Sequence, residues 1–377
     1  MMTNPLWELT ALGQSIWLDD IDREQLRSGL FGHLIEEDRV TGATGNPTIF
    51  EHAIDHGTAY DEQMRQLIAQ DLPAQQIYEQ LAMSDVRQVA DLLSPIYERT
   101  DGQDGFVSIE VSPALAHETQ ATLTEVRRFW HTIDRPNLMV KIPATNAGIP
   151  AIRQALSEGI NINITLIFSL SNYQQVAEAY LGALEERSAH GQDIHHIASV
   201  ASFFVSRVDV LVDRLLEERA QTTTDGTRQE QMRALQGKIA LANARQAYQE
   251  FKRLFRAPRF AALRQQGARV QRPLWASTGT KNPAYRDVLY VEELIGSETV
   301  NTMPLTTLER FRDHGRARLS IEDDLKAAQT HLAALASVGI DYDQVTQQLQ
   351  EEGVQKFLDS FRTLFACIDD KRKKLQG

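Results

Sequence analysis

Short segments rich in β-branched and apolar residues recur along this chain, and longer segments with helical periodicity separate them. Alternating strands and helices are typical of βαβ units, in which the strands lie parallel within one sheet. The predicted strands are residues 15–21, 42–50, 106–112, 138–143, 161–168, 199–205, 272–279 and 299–305. Eight strands alternating with helices are the number that closes a (β/α)8 barrel. The predicted fold class is therefore α/β, a (β/α)8 TIM barrel with extra helices.

Three of the intervening segments predict helices through the spacing of their apolar residues. They are residues 171–187, 208–217 and 238–255, and in the first of them Val176, Tyr180 and Leu184 recur at every fourth position. A doubly wound open sheet is the competing architecture for such an alternation. Because no glycine-rich dinucleotide turn follows the first predicted strand, we favour the barrel.

The chain is longer than a barrel needs, with 377 residues against about 250 for a minimal barrel. We expect one domain over residues 1–377, with a helical insertion at about 51–104 and a helical C-terminal extension at about 306–377. Residues 221–227 are polar and predict an exposed loop, and the basic residues 371–374 predict a solvated helix end. The helical additions could also form an assembly or partner interface, and the oligomeric state stays open.

The composition excludes several classes of protein. A formal net charge of −12 argues against a nucleic-acid-binding surface, and the single cysteine, Cys367, excludes an internal disulfide. No apolar stretch approaches the roughly 20 residues that span a membrane. The N-terminal residues lack the basic-then-apolar pattern of a signal peptide, so we expect a cytoplasmic protein.

The sequence shows no motif for a metal or a nucleotide. His195 and His196 are adjacent and cannot both face one metal ion from a helix or strand, and no His-Glu-x-x-His motif occurs. The glycines of residues 42–45 are not followed by the Lys-Ser or Lys-Thr of a phosphate-binding loop. We therefore expect an enzyme without metal or cofactor.

Polar residues at every second position mark the face of a barrel strand that points inward, because the outward face is covered by helices. By this rule Glu110 points into the barrel from the third strand, and Asn163 and Thr165 do so from the fifth. In the first strand Asp19 is the better interior candidate, although Asp20 and Asp22 leave that choice open.

Lys141 lies in an otherwise apolar predicted strand, residues 138–143. Burial disfavours a charged ammonium, and a neutral lysine amine can attack a carbonyl carbon to form a Schiff base. The alternative is structural: an ion pair with an inward carboxylate, or a lysine that reaches water at the strand end. Interior carboxylates on neighbouring strands favour catalysis, although their charge also favours the protonated lysine.

Taken together, these residues resemble the transaldolase family, and specifically its longer bacterial form. The resemblance extends from Trp7 to about Arg310. Its segments are SIWLDDI, TGATGNPTIF, VSIEV, LMVKIPATNAGIPAI, NITLIFS, SFFVSRVD, WASTGTKNP and NTMPLTTL. The most specific of them are GNPTIF and LMVKIPAT with the glycine that follows it, Gly148.

The resemblance implies a transaldolase of the pentose phosphate pathway, which transfers a dihydroxyacetone unit between sugar phosphates. Lys141 would form a Schiff base with a ketose phosphate, either fructose 6-phosphate or sedoheptulose 7-phosphate. Asp19 would take the proton of the C4 hydroxyl as the C3–C4 bond breaks. Glu110, through a water molecule held by Thr165, would move protons during Schiff-base formation and hydrolysis. The acceptor would be erythrose 4-phosphate or glyceraldehyde 3-phosphate.

The resemblance also implies a set of binding residues. Asn46 and Asn163 would hold the hydroxyls of the dihydroxyacetone unit, and Ser202, Arg207 and Lys281 would bind the phosphate. The chain departs from the family in two ways. Residue 45 is glycine where serine or threonine is expected, and Lys281 replaces an arginine of the shorter members, which keeps the charge but loses the bidentate fork.

Two other functions stay open at this point. A class I aldolase would use the same residues but release free dihydroxyacetone after protonating its enamine. A sugar-phosphate-binding barrel would have lost catalysis, which the presence of Asp19, Glu110 and Lys141 argues against.

Overall fold

The computed structural model describes residues 4–19, 21–45 and 47–376. Eight parallel strands form a closed barrel in which each strand pairs with its neighbours in chain order and β8 pairs with β1. The strands are β1 (Gln14–Leu18), β2 (Val40–Thr44), β3 (Phe106–Glu110), β4 (Leu138–Pro143), β5 (Ile162–Ile167), β6 (Ser199–Phe204), β7 (Arg272–Ala276) and β8 (Thr299–Met303). The predicted (β/α)8 barrel is confirmed.

Helices surround the barrel and fill the long connections. They are α1 (Pro5–Ala11), α2 (Arg23–Arg27), α3 (Leu30–Glu37), α4 (Pro47–His56), α5 (Asp61–Ile68), α6 (Ala74–Arg99), α7 (Thr119–Ile133), α8 (Gly148–Ser157), α9 (Leu170–Ala189), α10 (Ser206–Thr222), α11 (Gly226–Leu235), α12 (Ile239–Phe255), α13 (Pro258–Arg264), α14 (Leu289–Glu293), α15 (Leu305–His314), α16 (Leu325–Ser337) and α17 (Tyr342–Gln376). Within the described residues, no helix is long and apolar enough to cross a membrane.

The predicted second strand, residues 42–50, was wrong in its second half. The strand ends at Thr44, and helix α4 begins at Pro47. Proline is favoured at the first helical position because its fixed φ suits a helix and its missing N–H has no partner there anyway. The apolar residues after Pro47 therefore belong to a helix, although their β-branched character favoured a strand.

The alternation of faces along the strands agrees with the prediction, and β6 shows it most directly. The ring of Phe203 packs edge-on against Tyr173 of α9 and Trp275 of β7. The next ring, Phe204, points the other way and lies 5.2 Å from the ring of Phe168. Adjacent aromatic residues thus serve opposite surfaces of the same strand.

The basic residues near the C-terminus do not all lie in solvent as predicted. Lys371 donates a hydrogen bond of 2.8 Å to the carbonyl of Gly57 and forms an ion pair of 2.9 Å with Asp61. The guanidinium of Arg372 donates to the carbonyl of Leu72. The solvated helix end was therefore wrong for these two residues, because the last turns of α17 dock on the insertion between β2 and β3.

At the end of the barrel where the strands begin, the polar side chains of Ser15, Asp104 and Arg272 line a second cavity of about 920 Å³. Trp17 fills the interior, and its indole N–H donates a hydrogen bond of 2.9 Å to Asp104. Arg272 holds the same carboxylate at 3.3 Å and donates to the Ser15 hydroxyl at 2.7 Å. A Cβ atom at Gly42 would lie 2.5 Å from the indole ring, so the tryptophan fits only because residue 42 has no side chain.

We expect Gly42→Ala to lower the free energy of unfolding by about 1–3 kcal/mol, the usual cost of overfilling a packed core. The ring cannot retreat without losing its hydrogen bond to Asp104. Urea denaturation monitored by tryptophan fluorescence and circular dichroism measures this loss. The matched control is Gly32→Ala in α3, where an added Cβ meets no atom within 4 Å. Since alanine favours a helix, this control should be neutral or stabilising. Equal stability of wild type and Gly42→Ala would contradict the packing described here.

Candidate active site

A cavity of about 480 Å³ lies at the end of the barrel where the strands finish. This is the end at which barrel enzymes place their active sites, because the loops that follow the strands surround it. Seven of the nine predicted site residues line the cavity: Asp19, Glu110, Lys141, Thr165, Ser202, Arg207 and Lys281. Side chains that are far apart in the sequence are therefore brought around one space.

Lys141 and Glu110 form a buried pair at the floor of the cavity. The two residues are register partners on neighbouring strands, so both side chains point inward at the same level. The Lys141 Nζ atom donates a hydrogen bond of 3.4 Å to Glu110 Oε2, and the two residues are each only 8% exposed. The lysine thus meets an inward carboxylate, as the structural interpretation requires, but it also faces an open cavity, as catalysis requires.

The environment of Glu110 favours its protonated form. Burial raises the pKa of this carboxyl above its ordinary value, while the charges of Lys141 and Arg207 pull it back down. A carboxyl whose pKa is raised holds a proton more readily than an exposed one, which suits a group that exchanges protons in general acid–base catalysis. Glu110 is placed to exchange protons with the amine beside it.

Asp19 lies on the opposite wall of the cavity, at the end of β1. Its backbone N–H donates to the carbonyl of Met303 at 3.0 Å, which continues the pairing of β1 with β8. Its carboxylate accepts a hydrogen bond of 2.7 Å from Thr44, whose hydroxyl is 3.2 Å from that of Thr302. The carboxylate is thus oriented by β2 and β8, and its partly exposed position leaves room for a substrate.

Thr165 and Asn163, on β5, lie at different depths. Thr165 lines the cavity, is 0% exposed, and among the described residues its hydroxyl has no hydrogen-bond partner. Asn163 lies deeper: it donates to the Ser108 hydroxyl at 3.0 Å and accepts from Ser202 at 2.7 Å. It is not part of the cavity lining, so its predicted contact with substrate stays a prediction, and its visible effect is to orient Ser202.

Positive side chains gather at the outer part of the cavity, although the chain as a whole is acidic. Arg207 from the first turn of α10, and Lys281 from the loop after β7, both reach it. Nη1 of Arg207 is buried and, within the part of the chain that the structure describes, unpaired. A buried guanidinium nitrogen without a partner can still bind a phosphate oxygen. The N-terminus of α10 adds a favourable dipole for an anion.

The loop that contains Lys281 is tied to α10. Ser277 begins this loop with a φ of 59°, a strained value for a residue with a side chain, and its hydroxyl lies 3.0 Å from that of Ser206. Further along, the Tyr285 hydroxyl donates a hydrogen bond of 2.6 Å to Asp213 of α10. Both ends of the loop are therefore fixed to the helix that provides Arg207.

One side of the cavity is lined by residues that the sequence did not predict. Leu349, Glu352, Lys356 and Phe357, all from α17, line it. They lie in the tail that was assigned to helical additions, and their local pattern is that of any amphipathic helix. Only the packing of this tail on the barrel mouth identifies these residues as part of the site.

Asn46 lies outside the described residues, and so does Asp20, one of the carboxylates left open beside Asp19. No cluster of three or more His, Cys, Asp or Glu side chains with the geometry of a metal site occurs among the residues that are described.

Comparison with known proteins agrees with this geometry. The family model described as Transaldolase/Fructose-6-phosphate aldolase matches residues 16–368. A transaldolase of Trichodesmium erythraeum is 44% identical over 377 residues, which cover 100% of this chain and 99% of that protein. A transaldolase of Thermobifida fusca is 48% identical over 364 residues, which cover 96% of this chain and 97% of that protein. A transaldolase of Acidothermus cellulolyticus is 48% identical over 368 residues, which cover 97% of this chain and 96% of that protein.

Proposed function

This chain belongs to the transaldolase and fructose-6-phosphate aldolase family, and on that premise we propose that Lys141 is its Schiff-base lysine. The enzyme is a transaldolase, which moves a dihydroxyacetone unit from a ketose phosphate to an aldose phosphate. The observation that supports Lys141 most directly is its place in the cavity, with Glu110 at 3.4 Å and the carboxylate of Asp19 on the facing wall.

In the first half-reaction the Lys141 amine attacks the ketose carbonyl of fructose 6-phosphate. Glu110, acting through a water molecule held by the Thr165 hydroxyl, moves the protons as water leaves and the iminium ion forms. Asp19 then takes the proton of the C4 hydroxyl, and the C3–C4 bond breaks to release glyceraldehyde 3-phosphate. The electron pair of that bond moves into the iminium group, which leaves a three-carbon enamine on Lys141.

In the second half-reaction the enamine carbon attacks the aldehyde of erythrose 4-phosphate. Asp19 returns its proton to the new hydroxyl group, and hydrolysis of the iminium ion releases sedoheptulose 7-phosphate. Ser202, Arg207 and Lys281 bind the phosphate group in both halves, and Asn46 and Asn163 contact the hydroxyls of the three-carbon unit. In the reverse reaction, glyceraldehyde 3-phosphate is the acceptor.

Borohydride trapping tests the role of Lys141. We expect the protein, incubated with fructose 6-phosphate and then reduced, to gain one dihydroxyacetone-derived adduct on the peptide that contains Lys141, because reduction fixes a Schiff base. Lys141→Met should gain none and lose transferase activity. Lys356→Met removes another lysine of the same cavity and should keep the adduct. Mass spectrometry of the digested protein, with circular dichroism to show folding, measures this. An unmodified Lys141 in folded wild type would disprove the mechanism.

The phosphate site is tested by comparing a phosphorylated donor with an unphosphorylated one. Lys281→Met and Arg207→Met should each lower kcat/KM for fructose 6-phosphate by about 10–100-fold, since each removes a charged contact to the phosphate. The same variants should change the slow reaction with fructose by less than about 3-fold, the effect expected when no phosphate is present. Steady-state rates with erythrose 4-phosphate as acceptor give both values. Equal losses on the two donors would show that these residues do not act through the phosphate.

A further inference from the structure

Helix α17 crosses the mouth of the barrel and is fixed there by hydrogen bonds. The side-chain amide of Gln350 donates to the carbonyl of Ala144 at 3.0 Å and to that of Leu166 at 3.2 Å. It also contacts the Asn172 side chain at 3.2 Å. These acceptors follow β4, end β5 and begin α9, so one glutamine joins the helix to two neighbouring barrel units.

The close approach of α17 depends on one glycine and one strained residue. A Cβ atom at Gly353 would lie 2.8 Å from the Leu166 side chain, so the helix reaches this depth only because residue 353 is glycine. Leu166 itself has a φ of 58° at an irregularity in the pairing of β5 with β6. A leucine at positive φ is unusual and strained, and such strain clusters at functional sites. The irregularity turns the Leu166 carbonyl toward Gln350.

One turn further along the same face of α17, the ring of Phe357 lies beside Lys141 and Arg207. Its centroid lies 5.7 Å from Lys141 Nζ and 5.8 Å from Cζ of Arg207. Positions 350, 353 and 357 are spaced by three and four residues, so they share one helix face. The hydrogen bonds of Gln350 and the contact at Gly353 therefore fix how closely Phe357 approaches Lys141.

We propose that Phe357 is the side chain that shields the enamine on Lys141 from water, and so sets the ratio of transfer to release of free dihydroxyacetone. This inference rests on Lys141 as the Schiff-base lysine, as proposed above. The ring lines the cavity beside the amine, and Lys141 itself is only 8% exposed. An apolar ring there excludes water from the amine without offering a proton.

The reaction that Phe357 suppresses is hydrolysis of the three-carbon intermediate. The enamine carbon takes up a proton to give an iminium ion, and water then adds to the iminium carbon and loses a proton. The C–N bond breaks, which frees the Lys141 amine and releases dihydroxyacetone. One water molecule is consumed and no redox change occurs. In a transferase this reaction competes with attack on the acceptor aldehyde.

Two substitutions at position 357 distinguish the exclusion of water from Lys141 from other effects of the aromatic ring. Phe357→Ala removes the cover, whereas Phe357→Leu keeps an apolar side chain but removes the π-face over Lys141. The matched control is Phe365→Ala, the same truncation two turns later on α17, where the ring packs 6.1 Å from Tyr78 and 5.6 Å from Phe361. For each protein, dihydroxyacetone release from fructose 6-phosphate alone is measured against sedoheptulose 7-phosphate formation with erythrose 4-phosphate.

We expect Phe357→Ala to raise the ratio of release to transfer by about tenfold or more, while Phe357→Leu and Phe365→Ala change it by less than about 3-fold. An unchanged ratio in Phe357→Ala would overturn the proposal. So would a rise of equal size in Phe365→Ala, which would point to the helix as a whole, or in Phe357→Leu, which would point to the π-face. The borohydride adduct on Lys141 is measured in every variant. Its absence from wild type would reject the Schiff-base mechanism, whereas its presence with an unchanged ratio would reject only the role of Phe357.

Discussion

The buried contact between Lys141 and Glu110 is the interaction on which the site depends. Two ionisable groups in a barrel interior lose most of their hydration, which raises the pKa of Glu110, and the charge of the nearby Lys141 offsets only part of that rise. The pairing of β3 with β4 makes the two residues register partners, so neither side chain can turn away without leaving the barrel. The closed barrel holds this buried pair in place beside an open cavity.

The other cavity residues are placed around this pair by the strands, the helix and the loop that carry them. Asp19 is set by contacts with β2 and β8, across the barrel from the lysine. The cations proposed to bind the phosphate come from α10 and from the loop after β7, which Tyr285 and Ser277 attach to α10. In a molecule of net charge −12, these cations and the helix dipole would favour an anion at this place because they act at short range.

The chain beyond the barrel strands has a structural part in the site. Helix α17 supplies a cavity wall, and contacts at both ends hold it: Gln350 at the barrel mouth, and Lys371 with Arg372 on the insertion after β2. The insertion thus supports the helix, and the helix covers the lysine. This explains why two additions that are far apart in sequence pack against each other, and why Gly353 lies where the helix touches the barrel most closely.

The sequence by itself determined the barrel and the inward direction of Glu110 and Thr165, because period-two alternation and strand–helix alternation are local properties, whereas it left the direction of Lys141 open. It misplaced the end of β2, since β-branched residues after Pro47 suit either a strand or the start of a helix until packing decides. The tertiary structure alone decided that Asn163 joins Ser108 to Ser202, that Lys371 and Arg372 dock instead of pointing into water, and that the ring of Phe357 lies 5.7 Å from the Lys141 amine. These are contacts between segments up to 314 residues apart, as in the bond from Lys371 to Gly57, and no local pattern encodes the approach of one segment to another.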